Sequence, residues 1–418
     1  MNKKIIHSVF ESVADEFPGN IAVEEETGRT ITYRELNEKA NQIAFSLIEC
    51  GVGRDVVVAV FIKSCIEYVA SMIGIFKSGG IFMPLDPRFP ARRIENILNR
   101  TSPKVFIAGS ELSLSDFRHS GSGIYLPVFS FFNSNNYPVH NPPLVSDPDD
   151  GNYIVHTSGS TGEPKAILGR HKTVSHFMHW EITEFALDQE TRTSQLSPST
   201  NDVILRDIFA PLISGGTVCI PAPDTITNTN RLVQWLDKSG ITLVHTVPSL
   251  LRLIMKEMET SGSSLNSVRQ VLLVGEELYS RDAARWMDLT GNRAELVNLY
   301  GSSETLAKSF HRIKERPADL NKVVPIGKPI SNAALLVIKN NAALCDIGEL
   351  GEIYIKSPFI GKGYYKNPEL TARSFVPNPI NGDLSDIVYK TGDMGRYLPD
   401  RSIEYIGRLD TQVKIGGL

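Results

Sequence analysis

One loop constrains this chain more than any other feature: Thr157-Ser158-Gly159-Ser160-Thr161-Gly162-Glu163-Pro164-Lys165 packs hydroxyls, glycines and a lysine into nine residues. The apolar run Tyr153-Ile154-Val155 shortly before it predicts a strand that leads into the loop. Because glycine permits backbone conformations that a Cβ forbids, the N–H groups of such a loop can approach phosphate oxygens closely. The loop therefore predicts a cradle for the phosphates of a nucleotide.

Two alternative structures fit the sequence of the loop less well. A Walker A loop needs Gly-Lys-Ser/Thr at a helix start, whereas here Pro164 precedes Lys165 and Ala166-Ile167-Leu168 follow it. The spacing therefore excludes a P-loop NTPase. A Ser/Gly-rich surface turn is the plain structural alternative, and the lysine and the preceding strand argue against it.

The loop sequence TSGSTGEPK resembles the phosphate-loop signature of the adenylate-forming superfamily. Ala166 stands where that family usually has Gly, which is a small change of backbone freedom. The resemblance implies that Lys165 and Thr161 act in catalysis by orienting the β- and γ-phosphates of ATP. The loop residues it implies as ATP-binding are Thr157, Ser158, Gly159, Ser160, Thr161 and Gly162.

Composition and charge limit the classes of partner that this chain can have. The 418 residues are 41% hydrophobic and 22% charged, with a net charge of −4, and no basic stripe is present. We therefore expect neither a nucleic acid nor a membrane surface as a partner. No apolar run approaches the ~18 residues that a membrane span requires, so a cytoplasmic protein is expected. The four cysteines lack metal-binding spacing and are expected to be free thiols.

The predicted fold class is α/β, with two stacked α/β subdomains and a small β-barrel-like subdomain. Apolar strands alternate with helical patterns over residues 56–85 and 216–274, which favours parallel layers. After Pro317, short β-type runs separated by Gly and Pro indicate the small β-rich part. Residues 109–151, rich in Ser, Asn, Pro and Asp, are predicted as a long surface excursion. The predicted boundaries are 1–200 and 201–316 for the α/β parts, 317–409 for the β-rich part, and 410–418 for a hinge and chain end.

A second chemical motif lies at Asn298-Leu299-Tyr300-Gly301-Ser302-Ser303-Glu304-Thr305. Tyr300 can stack on a purine, and Asn298 can bond an amino group. Glu304 offers the hard oxygen that Mg²⁺ prefers. The motif resembles the family's YGPTE element, with Gly301 kept and a hydroxyl kept at Ser303. An isolated tyrosine and glutamate would more often be structural, but this pair stands in the family's motif order.

Two further motifs near the end of the chain resemble family elements. Asp393, in Tyr389-Lys390-Thr391-Gly392-Asp393, corresponds to the carboxylate that accepts hydrogen bonds from both ribose hydroxyls. In the hinge-like segment 407–415, Arg408 would reach ribose or phosphate and Asp410 would be the pivot. Tyr405 lies where the family has a second aromatic ring against adenine. The structural alternative is that Asp393 and Arg408 form an ordinary surface ion pair.

The resemblance runs from Tyr33 to Gly417 and narrows to the adenylation domain of a nonribosomal peptide synthetase, with its core truncated at the hinge. It implies an ATP- and Mg²⁺-dependent ligase that forms aminoacyl-AMP and pyrophosphate, impaired in this truncated form. The aminoacyl group would pass to phosphopantetheine on a carrier domain. Peptidyl carrier and condensation domains and a small MbtH-like protein are the implied partners. The alternatives are an acyl- or aryl-CoA ligase and a non-catalytic nucleotide-binding module.

The amino-acid interpretation depends on Asp202. The stretch 201–209 resembles the family's Phe-Asp-x-Ser element, with Asn201 replacing Phe, and places Asp202 on the carboxylate that pairs with a substrate α-ammonium. A buried carboxylate is costly unless it is paired, so a cationic amine is a natural partner. The alternative is that Asp202 caps the helix that begins near Val203, since Asp is a favoured N-cap residue.

Family pocket positions also suggest what surrounds the substrate side chain. Arg206 stands out, because a guanidinium in an apolar pocket favours a carboxylate or another strongly polar group. Lys308 either adds positive charge or extends outward. The competing interpretation is that Arg206 pairs with Asp207 or Glu304 and leaves room for a medium apolar substrate. The predicted lining beyond Asp202 is Val203, Arg206, Thr246, Leu272, Val274, Leu299, Ala307 and Lys308.

Overall fold

The computed structural model describes residues 5–86, 88–109, 123–133, 136–157, 165–340 and 342–409. Strands and helices alternate along most of this length. The strands are β1 (Ile21–Glu25), β2 (Thr30–Thr32), β3 (Val57–Phe61), β4 (Ile81–Pro84), β5 (Val105–Ala108), β6 (Ile124–Pro127), β7 (Gly151–Thr157), β8 (Lys165–Arg170), β9 (Arg192–Ser194), β10 (Thr217–Ile220), β11 (Leu243–Thr246), β12 (Gln270–Leu273), β13 (Glu295–Ser302), β14 (Leu306–Ile313), β15 (Lys328–Pro329), β16 (Ala334–Ile338), β17 (Gly351–Lys356), β18 (Gly363–Tyr364), β19 (Phe375–Pro377), β20 (Ile387–Tyr397) and β21 (Ile403–Arg408). The helices are α1 (Ile6–Glu16), α2 (Tyr33–Glu49), α3 (Ile66–Lys77), α4 (Ala91–Thr101), α5 (Val128–Asn133), α6 (His171–Phe185), α7 (Ile204–Leu212), α8 (Pro223–Thr227), α9 (Thr229–Lys238), α10 (Pro248–Ser261), α11 (Ser280–Thr290) and α12 (Pro368–Ser374).

The chain divides into two compact units that are interleaved in sequence. The first unit comprises residues 1–156, 166–191 and 197–220, and the second comprises 157–165, 192–196 and 221–418. None of the four cysteines, all of which lie in the described ranges, forms a disulfide.

The first unit is built on a largely parallel sheet with the strand order β8-β7-β4-β3-β5-β6. Strands β3, β4 and β5 are buried along their whole length, as expected of parallel strands covered on both faces. Strand β10 pairs in parallel with β1, which forms a hairpin with β2. Part of the predicted surface excursion over 109–151 has regular structure, since the largely exposed strand β6 extends the sheet beside β5 and α5 follows it.

Helices α2 and α3 pack closely in the first unit, and local sequence explains both. Helix α2 begins with a capping box in which Thr32 and Glu35 satisfy each other's backbone N–H groups. Helix α3 is buried on every side. Gly74 on α3 permits the approach, because a Cβ there would lie 2.8 Å from Cγ2 of Ile43. A larger residue at Gly74 would push the two helices apart.

The second unit holds two sheets. The first has the order β9-β11-β12-β13-β14-β15, with parallel pairing from β9 to β13 and antiparallel pairing from β13 onward. The second is antiparallel, with the order β16-β17-β20-β19 and β21 beside β20. The predicted α/β fold with an additional small β-sheet is therefore confirmed. A buried apolar cluster that includes Val337, Ile353 and Ile403 lies within the antiparallel sheet, and Tyr300 and Tyr389 belong to it.

Candidate active site

The hairpin between β13 and β14 brings the predicted nucleotide residues together in the second unit. The strand register shifts between Tyr300 and Gly301, where the two strands come into close contact. A Cβ at Gly301 would collide with the carbonyl oxygen of Leu306, so glycine is required there. Ser303 and Glu304 lie in the turn that follows. The glycine thus makes possible the tight hairpin that holds Tyr300 and Glu304 at one end of the sheet.

Tyr300, Asp393 and Arg408 form one connected network. The Tyr300 hydroxyl donates to Oδ2 of Asp393 at 2.7 Å, and Nη1 of Arg408 donates to Oδ1 at 2.8 Å. Asp393 and Tyr300 are buried, and the Arg408 side chain is only 16% exposed. Burial and the neighbouring carboxylate raise the pKa of Tyr300 far above its usual value, so it remains a donor. The Tyr405 ring lies 6.5 Å from the Tyr300 ring.

The predicted ion pair between Asp393 and Arg408 therefore exists, but it is not an ordinary surface pair. Its carboxylate is held by two donors of known position, one on each oxygen. An ionised carboxylate has about four lone-pair directions, so each oxygen of Asp393 keeps capacity for another donor. The ion pair and the predicted ribose contact are compatible. The network fixes the orientation of the Asp393 carboxylate.

The Asn298 side chain is fixed by the backbone that follows β14. Its Nδ2 donates to the carbonyl oxygens of Val324 and Pro325, at 3.3 and 3.0 Å. Both amide hydrogens thus point to protein acceptors, and the Oδ1 atom is the acceptor of the group. An amide oxygen is what a nucleobase amino group requires. The contact of Asn298 with a nucleobase amino group stays a prediction.

Glu304 is a buried carboxylate held by a tyrosine that the sequence analysis missed. The Tyr364 hydroxyl donates to Oε1 of Glu304 at 2.7 Å. Burial, followed by the Glu304 charge, raises the pKa of Tyr364, so this donor stays protonated. Nζ of Lys165 lies 6.0 Å from the centre of the same ring. Tyr364 therefore connects the predicted catalytic lysine with the predicted metal-binding carboxylate, and its sequence context carried no signal of this.

Several predicted residues of the phosphate loop and hinge lie outside the described part of the chain. Thr157 ends β7 and Lys165 begins β8, so both ends of the loop are described. The predicted nucleotide and hinge residues outside the described ranges are Ser158, Gly159, Ser160, Thr161, Gly162 and Asp410.

Three of the predicted substrate residues belong to the first unit, at the start of α7. Asp202 is buried, and Val203 rather than Asp202 occupies the N-cap position of the helix, which begins at Ile204. The alternative in which Asp202 is the N-cap residue of this helix is therefore wrong by one position. Arg206 is also buried and follows Asp202 by four positions, which is about one helical turn.

Arg206 pairs with a residue that the sequence analysis did not consider. Its Nε donates to Oε2 of Glu181 on α6 at 2.8 Å, and both side chains are buried. Asp207 instead accepts the backbone N–H of Ser197 at 2.9 Å. The predicted alternative partner Asp207 is therefore not the one that holds Arg206. No sequence pattern links positions 181 and 206, because the contact joins two separate helices.

The remaining predicted lining residues lie in the second unit, on or beside neighbouring strands. Thr246 ends β11, and its strand partner Leu273 is in turn paired with Asn298 on β13. Lys308 on β14 is fully buried and does not extend outward, so that alternative was wrong. Within the described ranges its Nζ has no hydrogen-bond partner, and burial lowers its pKa to about 7. The other lining residues here are Leu272, Val274, Leu299 and Ala307, of which only Val274 is partly exposed.

Replacing Lys308 by Met is expected to stabilise the protein at neutral pH. The unfolded lysine binds a proton below about pH 10.5, whereas the native lysine releases it above about pH 7. Burying Lys308 therefore lowers the free energy of unfolding by the full amount below pH 7, and by progressively less as the pH rises towards 10.5. At about 1.4 kcal/mol per pKa unit, Lys308→Met should raise the free energy of unfolding at pH 7 by roughly 4–5 kcal/mol. Denaturant unfolding at pH 7 and pH 10 measures this change in the free energy of unfolding. An equal increase at both pH values would show that it does not arise from the buried charge of Lys308.

Known proteins resemble this chain over nearly its whole length. Residues 10–365 match the family described as AMP-binding enzyme. Zwittermicin A synthase ZmaJ of Bacillus cereus is 32% identical, over 99% of this chain and 78% of that protein. Tyrocidine synthase 3 of Brevibacillus parabrevis is 33% identical, over 99% of this chain and 6% of its own length. The nonribosomal peptide synthetase FmoA3, solved with α-methyl-L-serine-AMP bound, is 28% identical with a TM-score of 0.90, over 98% of this chain and 45% of that one.

The fold and the family match place this chain in one class of enzyme. The chain belongs to the AMP-binding enzyme family, as an adenylation domain of the nonribosomal peptide synthetase type. It spans only a small part of its longer relatives, as the 6% of tyrocidine synthase 3 shows. Among the residues that the structure describes, no helix is both long enough and apolar enough to cross a membrane.

Proposed function

We propose that this chain activates an α-amino acid by forming aminoacyl-AMP and releasing pyrophosphate from ATP. The observation that carries the proposal is the network in which Tyr300 and Arg408 each hold one oxygen of Asp393. It builds a rigid acceptor for a ribose diol beside an aromatic ring. A form of FmoA3 with AMPPNP bound, 27% identical with a TM-score of 0.89 over 97% of this chain and 43% of that one, supports nucleotide binding.

Different residues of the second unit would bind different parts of the nucleotide. Tyr300 and Tyr405 would pack against the adenine ring, and the Asn298 oxygen would accept its amino group. Asp393 would bind the ribose hydroxyls. Lys165 would neutralise phosphate charge as the carboxylate of the amino acid attacks the α-phosphorus, a step in which the protein mainly positions groups and stabilises charge.

Glu304 fits a magnesium site that is shared with phosphate oxygens. Its Oε1 is held by Tyr364, and a carboxylate keeps further lone pairs for a hard cation. No group of three or more metal-binding side chains is found in the described ranges, so the phosphates would provide most of the other ligands. When bound, Mg²⁺ would neutralise charge on the phosphates. Tyr364 keeps the carboxylate at a fixed place for this purpose.

Tyr364→Phe is expected to lower the kcat/KM of adenylate formation about tenfold, because a hydrogen bond to a charged acceptor contributes roughly 1.5–3 kcal/mol. The ring and its contact with Lys165 would remain. The concentration of Mg²⁺ that gives half-maximal activity should rise in parallel. Tyr365→Phe, which alters the neighbouring residue, is the matched control. Equal loss in both variants would show that the Tyr364 hydroxyl has no special role.

Asp202 is proposed to bind the α-ammonium of the substrate. Its burial and its place one turn before Arg206 suit a short bifunctional ligand. For the side chain of the amino acid, the residues are compatible with two classes. One is a polar or acidic side chain that engages Arg206, and the other is a medium apolar side chain.

In a complete synthetase the aminoacyl group would be loaded onto phosphopantetheine of a peptidyl carrier domain, with a condensation domain beside it. An MbtH-like protein is a further proposed partner, and a cytoplasmic location is proposed. The length of tyrocidine synthase 3 supports these additional domains, since that protein extends well beyond the matched region. The subdomain boundaries near residues 200, 316 and 409 remain a prediction.

ATP–pyrophosphate exchange across a panel of carboxylic acids tests the proposed reaction. Exchange should depend on one α-amino acid, and a sulfamoyl-adenosine analogue of that aminoacyl adenylate should bind tightly. Acylation of free CoA would instead identify an acyl-CoA ligase. Nucleotide binding without exchange and without analogue binding would identify a non-catalytic module.

A further inference from the structure

The buried pair Arg206–Glu181 holds a guanidinium group in one orientation. Nε of Arg206 donates to Oε2 of Glu181 at 2.8 Å, and the two side chains are 4% and 0% exposed. The guanidinium carbon lies 5.3 Å from the centre of the Phe177 ring, which comes from the same helix as Glu181. The group is thus fixed at its Nε edge by a charge and covered by an aromatic ring.

The other edge of the guanidinium has no acceptor. Nη1 and Nη2 of Arg206 are buried and make no hydrogen bond to any residue of the described ranges. Leaving buried N–H groups unsatisfied is costly, and here the cost concerns a charged group with several donors. Arg206 lies on α7 and Asp202 lies two residues before that helix begins, so both belong to the segment that the proposed function assigns to the amino acid. These buried donors are available to an oxygen of a bound ligand.

The net charge of the Arg206–Glu181 pair determines which type of ligand oxygen the Nη donors bind most favourably. Glu181 already compensates Arg206, so the pair is neutral while its free edge consists only of donors. Asp207, the next residue of the helix, is buried as well and its Oδ2 accepts the Ser197 N–H. A substrate carboxylate would add a further negative charge to this buried region, and burying an uncompensated charge is strongly unfavourable. A neutral carboxamide oxygen satisfies the donors without that cost.

We propose that Glu181 is a specificity-determining positioning residue, and that the Glu181–Arg206 pair selects an amino acid with a neutral side-chain acceptor, such as a carboxamide, over the corresponding acid and over an apolar isostere. This inference rests on the proposed function and narrows its substrate class. An apolar side chain would leave the Nη donors unsatisfied. An acidic side chain would compete with Glu181 for the same positive charge.

The test compares isosteric amino acids on the wild type and on Glu181→Gln. The panel is Asn, Asp and Leu, with Gln, Glu and Met as the longer set, measured by ATP–pyrophosphate exchange and by calorimetric binding of the matching aminoacyl sulfamoyl-adenosines. The wild type should favour the amide over its acid and its apolar isostere by at least about tenfold. Glu181→Gln removes the counter-charge of Arg206. It should shift the ratio of exchange activity with the amide to that with the acid at least about tenfold towards the acid.

Two further variants separate specificity from stability. Glu184→Gln removes a partly exposed charge from the same helix and should leave the amide-to-acid ratio unchanged. Glu181→Asp keeps the charge and should keep the wild-type ranking even where overall activity falls. A structural role alone would lower activity with all amino acids equally, so a constant ratio in Glu181→Gln overturns the proposal.

The wild-type ranking is decisive even where Glu181→Gln fails to fold. A wild-type preference for the acid or for the apolar isostere overturns the inference while leaving amino-acid activation intact. No exchange with any amino acid, together with no binding of any analogue, overturns the proposed function itself.

Discussion

Asp202→Ala is expected to reduce the kcat/KM for the preferred α-amino acid roughly 200- to 5,000-fold, because removing one partner of a buried ion pair costs about 3–5 kcal/mol. Asp202 is buried at the start of α7, so an ammonium group placed there loses most of its hydration. Without the carboxylate, that desolvated charge has no counter-charge on the protein. ATP–pyrophosphate exchange over a range of amino-acid concentrations measures the loss.

The control for Asp202→Ala is a change in the substrate rather than in the protein. The carboxylic acid that matches the preferred substrate but lacks its amine should be a poor substrate of the wild type, and Asp202→Ala should not weaken it further. The two changes remove the same interaction, so their effects should not add. If Asp202→Ala weakens the amine-free acid as much as the amino acid, Asp202 has a structural role and the substrate class must be reconsidered.

Asp393→Asn is expected to raise the KM for ATP about 10- to 100-fold, because hydrogen bonds to a charged group contribute roughly 1.5–3 kcal/mol. The amide would present N–H groups towards Tyr300 or Arg408, both of which donate to Asp393 in the native structure. The nearby guanidinium of Arg408 would also lose its counter-charge. The ribose would lose the acceptor that binds its hydroxyls.

Deoxynucleotides make the Asp393 prediction specific. In the wild type, 2′-deoxy-ATP and 3′-deoxy-ATP should each show a higher KM than ATP, and in Asp393→Asn most of this difference should disappear. Asp400→Asn is the matched control, since Asp400 is an exposed aspartate in the turn between β20 and β21 whose Oδ1 accepts from Ser402. A full penalty for deoxynucleotides in Asp393→Asn would show that the ribose is recognised elsewhere.

Local sequence was sufficient for most of the secondary structure. Thr32 and Glu35 form the capping box that begins α2, and Pro248 stands at the start of α10, where its missing N–H costs nothing. The strands at 57–61 and 81–84 were predicted from continuous apolar runs, which is the pattern of a covered parallel strand. The part of residues 109–151 that forms β6 was missed, because half-exposed Ile124 and Tyr125 lack such a pattern.

The candidate nucleotide residues could be proposed from the sequence because each stands in a short motif of fixed order. Asn298, Tyr300 and Glu304 lie on one hairpin, so their spacing in sequence is nearly their spacing in space. Their supporting partners were not predictable in the same way. Tyr364 holds Glu304 from a position 60 residues later, and Glu181 holds Arg206 from 25 residues earlier.

The sequence by itself determined the α/β class, the family and the motif residues, since these depend on periodicity and on short-range patterns of residue type. The tertiary structure alone decided which charges are buried and how they are paired. Asp393 is bonded on both oxygens, Arg206 is bonded at one edge, and Lys308 has no acceptor for its Nζ in the described part of the chain. The reason is physical: the cost of a buried charge depends on neighbours that come from distant segments, and only the folded chain brings those segments together.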